Sequence, residues 1–245
     1  MKQIGHDLFN YDEMYDNATE RLWREVCATD KVKNQIPFYD LIPTISGVNL
    51  LEIGCGEGSI ATELSKNNVF RNYTGIEISR SGISAAREKN IKDAEFIYLE
   101  ASKIENFESQ SDVTLLCHVV EHLDNPRVLI MKAKEWSEYL LVEVPLEDNR
   151  GMSEDYDWNP VGHINKFKTA TIKHLIQTCG WSIVRTRVYN PSRAARTFHS
   201  KGIKANCVWL IKEVALKLNQ RIASKLFTYH YVILAKQSGE KVNAN

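Results

Sequence analysis

Three glycines and two carboxylates form the clearest chemical pattern in the sequence. Glu52, Gly54, Gly56 and Gly58 follow a short apolar run and precede a helical pattern, with Cys55 between the first two glycines. Glycine allows tight turns and a close approach of the backbone to a ligand, so such a loop is typical of a nucleotide site. Glu77 lies 19 residues after Gly58, at the end of the second apolar run. A carboxylate there can accept both hydroxyls of a ribose.

The spacing of this loop distinguishes between two classes of nucleotide cofactor. A dinucleotide loop has the pattern GxGxxG, which would place Gly or Ala where this chain has Ser59. No tyrosine is followed four residues later by lysine, so the usual residue pair of short-chain dehydrogenases is missing. Glu52, just before the glycines, instead offers a carboxylate that could face the ammonium group of an amino-acid ligand.

A second group of candidate residues lies at the end of the predicted fourth strand. His118, Glu121 and His122 occur there, and His163, in the loop after the fifth strand, could converge on them because ligands of open α/β sheets bind at the carboxyl ends of strands. Three roles are open for the group. A histidine could be a general base, since its unperturbed pKa of about 6.5 suits proton transfer. The group could bind zinc, iron or nickel, or it could only order the loop.

Apolar runs and helical patterns alternate along the chain. The predicted strands are 48–54, 72–78, 94–100, 112–120, 138–145, 181–190 and 229–237. The helices predicted among them are 58–67, 81–90, 126–136 and 169–180. Strand and helix in steps of about 25 residues are typical of parallel sheets with crossover helices. The sequence therefore predicts an α/β fold with a doubly wound, mostly parallel seven-stranded sheet.

The segments outside this repeat are helical in pattern. Residues 14–46 predict N-terminal helices with breaks at Pro37 and Pro43, and residues 205–226 predict one amphipathic helix inside an insertion between strands six and seven. The predicted organisation is an N-terminal helical cap at 1–46, a cofactor-binding core at 47–190, a helical insertion at 191–228, the last core strand at 229–237 and a flexible tail at 238–245.

Composition narrows the class of protein. The 245 residues carry 31 Lys or Arg and 31 Asp or Glu, and 43% are apolar, which excludes a disordered chain and a disulfide-stapled miniprotein. The five cysteines are scattered and form no CxxC pair. The sequence also shows no apolar signal segment and no apolar run long enough for a membrane helix. These features favour a cytoplasmic location. Residues 181–245 hold 12 basic and 2 acidic residues, a net charge of +10.

Three motifs carry a resemblance to a known family. LLEIGCGEG at 50–58, TGIEIS at 74–79 and DVTLLCHVVEHLDNP at 112–126, in this order and spacing, resemble motifs of the class I S-adenosylmethionine-dependent methyltransferases. Within that class the chain is similar to the small-molecule group typified by ubiquinone-biosynthesis enzymes. The match covers residues 48–145 and extends more weakly through 162–167 and the helix before Gly180. The N-terminal helices and the insertion, where such families differ by substrate, are not covered.

The resemblance implies a role for each matched residue. Six residues would lie beside the methionine part of S-adenosylmethionine: Glu52, Gly54, Cys55, Gly56, Cys117 and His118. Glu77 would bind the ribose hydroxyls. Ile78 would pack on the adenine ring, and Glu100 and Ala101 would lie near the adenine amine. Tyr11 and Tyr15 lie in the segment that often closes over this cofactor, although simple helix packing would also explain them. The expected catalytic residues are His118, His163 and Glu121. No metal ligand is assigned, although some relatives carry a Glu-x-x-Glu-His metal motif in which this chain has His118 in place of the first Glu.

The acceptor of the methyl group must be inferred from charge. Six basic residues precede or begin the insertion, namely Arg185, Arg187, Arg193, Arg196, Lys201 and Lys204. Since arginine binds phosphate and carboxylate well, we expect a small anionic acceptor, phosphorylated or sugar-linked, whose O or N is methylated. A nucleic acid is the less favoured acceptor, because the whole chain is neutral. Peripheral membrane binding through helix 205–226, which carries Lys212, Lys217, Arg221 and Lys225, and a non-catalytic binding protein are further alternatives.

Overall fold

A seven-stranded sheet forms the centre of the computed structural model, which describes residues 11–150, 162–199 and 202–239. The strands are β1 (Val48–Ile53), β2 (Phe70–Glu77), β3 (Ala94–Tyr98), β4 (Ser111–Cys117), β5 (Ser137–Pro145), β6 (Trp181–Tyr189) and β7 (His230–Gln237). Their order is β3-β2-β1-β4-β5-β7-β6. Strands β1 to β5 are parallel, and β7 is antiparallel to both β5 and β6. The predicted doubly wound, mostly parallel sheet is therefore confirmed.

Helices cover both faces of this sheet. They are α1 (Tyr11–Asp16), α2 (Ala18–Tyr39), α3 (Ser59–Lys66), α4 (Arg80–Glu88), α5 (Pro126–Trp136), α6 (Thr169–Thr178), α7 (Arg193–Thr197), α8 (Ile203–Leu218) and α9 (Gln220–Leu226). Helices α2 and α3 bury Val32 and Leu64 in one core, and α5 and α6 bury Ile130 and Ile176 in the other. Because both faces are covered, the central strands are continuous apolar runs rather than alternating ones.

The N-terminal helical region differs from its prediction in its boundaries. Asn17 divides it into α1 and α2, and its side-chain oxygen accepts hydrogen bonds from the first turn of α2. Pro37 does not break α2 but lies in its last turn. Proline removes only its own N–H, and burial of Phe38 and Tyr39 holds the turn against the sheet, so the helix continues to Tyr39.

The insertion between β6 and β7 is helical as predicted, but the single helix expected at 205–226 is wrong. Asn219 is extended and its side chain accepts a hydrogen bond from the N–H of Ile222, so a new helix begins there. Two apolar residues of this amphipathic pattern, Ile211 and Leu218, are exposed.

Part of the predicted organisation lies outside the described residues, namely 1–10 of the cap, 151–161 of the core, 200–201 of the insertion and 240–245 of the tail. The proposed segment boundaries stay a prediction. No helix in the described ranges is both long enough and apolar enough to cross a bilayer.

Candidate functional site

A cavity of about 2040 Å³ opens where the strand order reverses, at the carboxyl ends of β1 and β4. Most residues predicted for the site line it: Tyr11, Tyr15, Glu52, Gly54, Cys55, Gly56, Glu77, Ile78, Glu100, Cys117, His118 and His163. Glu121 is buried behind the wall. Ala101 begins a short 3₁₀ helix next to Glu100.

The glycine loop after β1 needs its glycines for space and for backbone conformation. Gly54 and Gly56 have positive φ values of 77° and 54°. A Cβ atom at Gly54 would lie 2.7 Å from Cγ2 of Val119, and one at Gly56 would lie 2.7 Å from the hydroxyl of Tyr15. A side chain at either position would collide with these neighbours. The glycines therefore leave the backbone of the loop open to the close approach of a ligand.

Glu77, at the end of β2, holds the loop and still faces the cavity. Its carboxylate accepts hydrogen bonds from the N–H groups of Gly56 (2.9 Å), Ile78 (2.7 Å) and Ser79 (2.9 Å). Burial raises the pKa of Glu77, although these bonds oppose the shift. A carboxylate has about four acceptor positions, so capacity remains for a ribose hydroxyl.

Glu52 is a buried carboxylate at the floor of the same half of the cavity. It accepts a hydrogen bond of 2.5 Å from the hydroxyl of Tyr73. Burial raises the pKa of Glu52 to about 8, against the opposing effect of that bond. A cationic ligand group placed here would favour the ionised carboxylate, which fits the ammonium group of a methionine moiety.

Helix α1 is held against the start of α4, beside the glycine loop, by a contact that the sequence did not indicate. A carboxylate oxygen of Asp12 accepts from the hydroxyl of Ser79 (2.6 Å) and from the N–H of Ser81 (3.2 Å), at the start of α4. Tyr15 is buried against Gly56 and Gly82. Tyr11 and Tyr15, both on α1, line the cavity, and Tyr15 also packs in the helix interface.

Ile78 and Glu100, which the resemblance assigns to the adenine, both line the cavity, and their role stays a prediction. Ile78 is half-buried in the cavity wall. Glu100 is exposed and pairs with Lys103 at 3.3 Å. Leu99 and Ile104 add apolar wall beside them.

His118 follows β4 and lies between two buried carboxylates. Its backbone has a positive φ of 58°, which is uncommon for a residue with a side chain. Its Nδ1 is 3.1 Å from Oε1 of Glu121 and its Nε2 is 3.4 Å from Oε1 of Glu143, although neither contact has hydrogen-bond geometry. Burial and Lys31 lower the pKa of His118, but the two carboxylates outweigh them and raise it.

Glu143 is the centre of a buried network that sequence reasoning missed. Its carboxylate accepts hydrogen bonds from Gln35 (2.8 Å) and Tyr189 (2.6 Å), and His230 Nδ1 lies 3.1 Å away. Burial lowers the pKa of His230 to about 4, so the ring is neutral. The only available signal was the charge itself, since Glu143 is the single acidic residue inside the apolar run 139–145.

His163 forms a second carboxylate–imidazole pair. Its Nδ1 lies 2.7 Å from Oε2 of Glu147, which follows β5, and both residues line the cavity. The N–H groups of Ile164 and Asn165 donate to the carbonyl of Glu121 at 2.9 Å each. These bonds explain why His163 converges on the end of β4, as predicted.

Glu121, His122 and His163 also fit the metal alternative. Each offers a ligand atom, and the three atoms lie within 4.8 Å of one another. Among the residues described, none donates a hydrogen bond to either carboxylate oxygen of Glu121, which is fully buried. One carboxylate and two imidazoles suit zinc or another transition ion better than a hard cation.

Basic side chains line the other half of the cavity, which is formed by α2 and the insertion. Of the six predicted basic residues, Arg196 and Lys204 line it. Arg185, Arg187 and Arg193 do not, and Lys201 lies outside the described residues. Sequence reasoning missed Lys31, which lines this half from α2 together with Trp23 and Cys27. The spacing of four residues between these three was the available signal.

Comparison with known proteins adds sequence relatives to this geometry. A family model for a methyltransferase domain matches residues 14–186. The ubiquinone biosynthesis O-methyltransferase of Rickettsia conorii is 30% identical over 134 residues, which are 52% of this chain and 42% of the relative. The chain thus spans less than half the length of this curated relative.

Solved structures share the fold at low sequence identity. The magnesium protoporphyrin IX methyltransferase of Synechocystis with bound SAH has a TM-score of 0.58 and 14% identity, over 91% of this chain and 88% of that one. A Haemonchus contortus phosphoethanolamine N-methyltransferase in complex with phosphomonomethylethanolamine and S-adenosylhomocysteine has a TM-score of 0.59 and 12% identity, over 95% and 61%. With the family match over more than half of its length, the chain belongs to the class I S-adenosylmethionine-dependent methyltransferases.

Proposed function

We propose that this chain transfers a methyl group from S-adenosylmethionine to an oxygen or nitrogen of a small anionic metabolite, phosphorylated or sugar-linked. The observation that carries the proposal is the division of charge within one cavity. Glu52, Glu57 and Glu77 line the half beside the glycine loop. Lys31, Arg196 and Lys204 line the half formed by α2 and the insertion, where the carboxylate of Glu147 is paired with His163. A cationic cofactor and an anionic acceptor would each meet the opposite charge.

The cofactor half would hold S-adenosylmethionine through four groups. Glu77 would accept the ribose hydroxyls, Ile78 would pack on adenine, Glu52 would face the ammonium group, and the glycine loop would lie against the methionine chain. The bound cofactor supplies an electrophilic methyl group on a sulfonium. The rest of the chemistry is the placement and deprotonation of the acceptor.

His163 is the general base in this proposal. Glu147 occupies its Nδ1, so the carboxylate can orient the ring and stabilise the imidazolium, and Nε2 keeps its lone pair for the acceptor proton. His118 is less suited to that task, because each of its ring nitrogens lies against a carboxylate. We assign His118 and Glu121 to holding the wall beside the methionine part.

The acceptor half is built by the N-terminal helix α2 and the insertion, which pack together. The N–H of Ser192, just before α7, donates to Asp30 on α2 at 2.6 Å, which joins the insertion to the N-terminal helix beside Lys31. The curated relative is named as an O-methyltransferase, which favours oxygen. The Haemonchus neighbour is named with a phosphorylated amine, which supports a phosphorylated acceptor in this fold.

The test uses methyl-labelled S-adenosylmethionine and a small-metabolite extract separated by anion exchange. We expect label in a retained, anionic fraction, identified by mass spectrometry. Label only in unretained compounds would overturn the anionic acceptor. Label in RNA, supplied in a parallel reaction, would establish a macromolecular acceptor. Cofactor binding without any labelled product would favour a non-catalytic binding protein.

Treatment with a chelator distinguishes the general-base role of His163 from the metal-binding alternative. Activity that survives exhaustive chelation supports His163 as a base. Activity that is lost and then restored by one transition ion would assign Glu121, His122 and His163 to that ion instead.

A further inference from the structure

Helix α8 exposes apolar side chains on the face that a surface helix normally makes polar. The exposed fractions are 84% for Ile203, 56% for Leu210, 55% for Ile211, 48% for Val214 and 80% for Leu218. At 3.6 residues per turn these five, with the exposed Cys207, form one stripe along the helix. We call these six residues the outer stripe.

The inner side of the same helix is already occupied. Ala215 and Leu216 pack on the core, and the buried ammonium of Lys212 donates to the carbonyl of Thr228 at 2.6 Å. Another side of α8, at Lys204 and Val208, lines the cavity. The outer stripe is therefore an additional apolar surface, and a contiguous patch of this kind marks an interaction site.

Basic residues border the outer stripe. On the helix wheel the exposed Lys204 lies next to one edge of the stripe and Lys217 next to the other, where Lys217 also pairs with Glu213 at 3.6 Å. On α9, the exposed Arg221 and Lys225 neighbour two more exposed aliphatic residues. Residues 191–228 contain eight Lys or Arg and one Glu, a net charge of +7.

We propose that the outer stripe of α8 binds the surface of an anionic lipid bilayer, with the helix lying in the interfacial plane. An apolar stripe with lysines at its borders is the arrangement that such helices use, because aliphatic groups enter the acyl boundary while ammonium groups stay among the headgroups. This binding is independent of the methyl transfer proposed above.

The charge of the insertion favours this occupant over a second copy of the chain. A two-fold contact through the outer stripe would bring together the exposed basic residues that border it on both copies, which are Lys204, Lys217, Arg221 and Lys225. An anionic bilayer offers the opposite charge and does not require a surface of complementary shape. The electrostatic part of its attraction must weaken with salt.

The test is co-sedimentation of the full chain with vesicles of phosphatidylcholine alone and with about one-third phosphatidylglycerol. We expect binding to the anionic vesicles, weaker binding to the neutral ones, and loss of binding as salt rises. The double variant L210Q/V214Q should lower the partition coefficient at least about tenfold, since it removes two inserted side chains. K217Q should lower it by roughly fivefold on anionic vesicles only.

The matched control is L22Q/M131Q, which replaces two helical aliphatic residues of similar exposure, 56% and 51%, outside the insertion. It should bind vesicles as the wild type does. A polarity-sensitive fluorophore on Cys207 gives a second measurement, because the other four cysteines are buried or half-buried. Its emission should shift to the blue on anionic vesicles.

Three results would overturn the proposal. They are an absence of binding to anionic vesicles, binding that L210Q/V214Q and its control reduce equally, and a dimer that L210Q/V214Q converts to a monomer while vesicles do not bind. The last result would assign the outer stripe to a second copy of the chain.

Discussion

The two halves of the cavity are built from very different stretches of chain. The cofactor half comes mainly from residues 52–58, 77–78 and 99–105, each at or just after the end of a parallel strand. The acceptor half draws on α2, the segment after β5, the insertion and the start of β7. The first half depends on local loop geometry and the second on long-range packing. The first can therefore stay constant while the second changes with substrate.

The halves also differ in how their charged groups are satisfied. Glu77 is fixed by three backbone N–H groups. In the acceptor half, carboxylates instead face imidazoles, as in Glu147–His163 and the Glu143 network. Backbone donors hold a carboxylate in place, whereas imidazole partners can exchange protons with it. The proposed division is binding in the first half and proton transfer in the second.

Replacing the proposed base should give the largest effect and should act on turnover alone. We expect H163A to lower kcat at least about 100-fold with little change in the Kd of S-adenosylmethionine, because general-base catalysis contributes about that much. Stopped-time assays and calorimetry measure the two quantities. H174A, at an exposed histidine on α6, is the control. Wild-type turnover in H163A would show that His163 is not the general base.

Replacing Glu77 should act on the other half alone. E77A removes the proposed ribose contacts and should raise the Kd of S-adenosylmethionine by more than about tenfold, since a hydrogen bond to a charged group contributes roughly 1.5–3 kcal/mol. Calorimetry measures this, with E95Q at an exposed carboxylate of β3 as the control. Unchanged affinity would contradict the ribose assignment.

The pH dependence of cofactor binding sharpens the comparison further. The free protein holds Glu52 largely protonated below its pKa of about 8, and an ammonium group binds the ionised form. Affinity should therefore rise with pH from about 6 towards 8, by at most about tenfold per pH unit, with a proton released on binding. Calorimetry in buffers of different ionisation enthalpy detects the proton. E52Q should bind without this release, and an equal release in E52Q would point to another group.

Basic residues at the rim of the acceptor half should give the smallest effect. With the acceptor identified by labelling, R196Q and K204Q should each raise its KM about two- to fivefold and leave kcat unchanged, as expected for exposed charge pairs. R193Q, one turn away and outside the cavity, is the matched control, since its guanidinium bonds Asn206 at 2.6 Å. An equal effect of all three variants would indicate a long-range electrostatic effect of the basic residues rather than direct contact of Arg196 and Lys204 with the acceptor.

The same division explains what could be predicted from the sequence. The glycine loop, Glu77 and the order of strands are set by short segments, so their motifs identify them directly. His163 could be placed because it follows a strand whose end is known. The partners of Glu143 could not be predicted, because all three are distant from it in sequence. Tyr189 and His230 reach Glu143 through sheet pairing, and Gln35 reaches it through the packing of α2 on the sheet. The break at Asn219 was missed because the apolar pattern continues across it.

The buried pair of His118 and Glu121 has a consequence for thermal resistance. Both carboxylate oxygens of Glu121 are buried without a hydrogen-bond donor in the part of the chain that the structure describes. Desolvating two charges costs folding free energy that their attraction only partly returns, and apolar replacements of similar volume often raise the melting temperature. Selection for heat tolerance alone would therefore favour removing this pair. The pair therefore limits the melting temperature that this fold can reach while the wall of the cavity keeps its present charges.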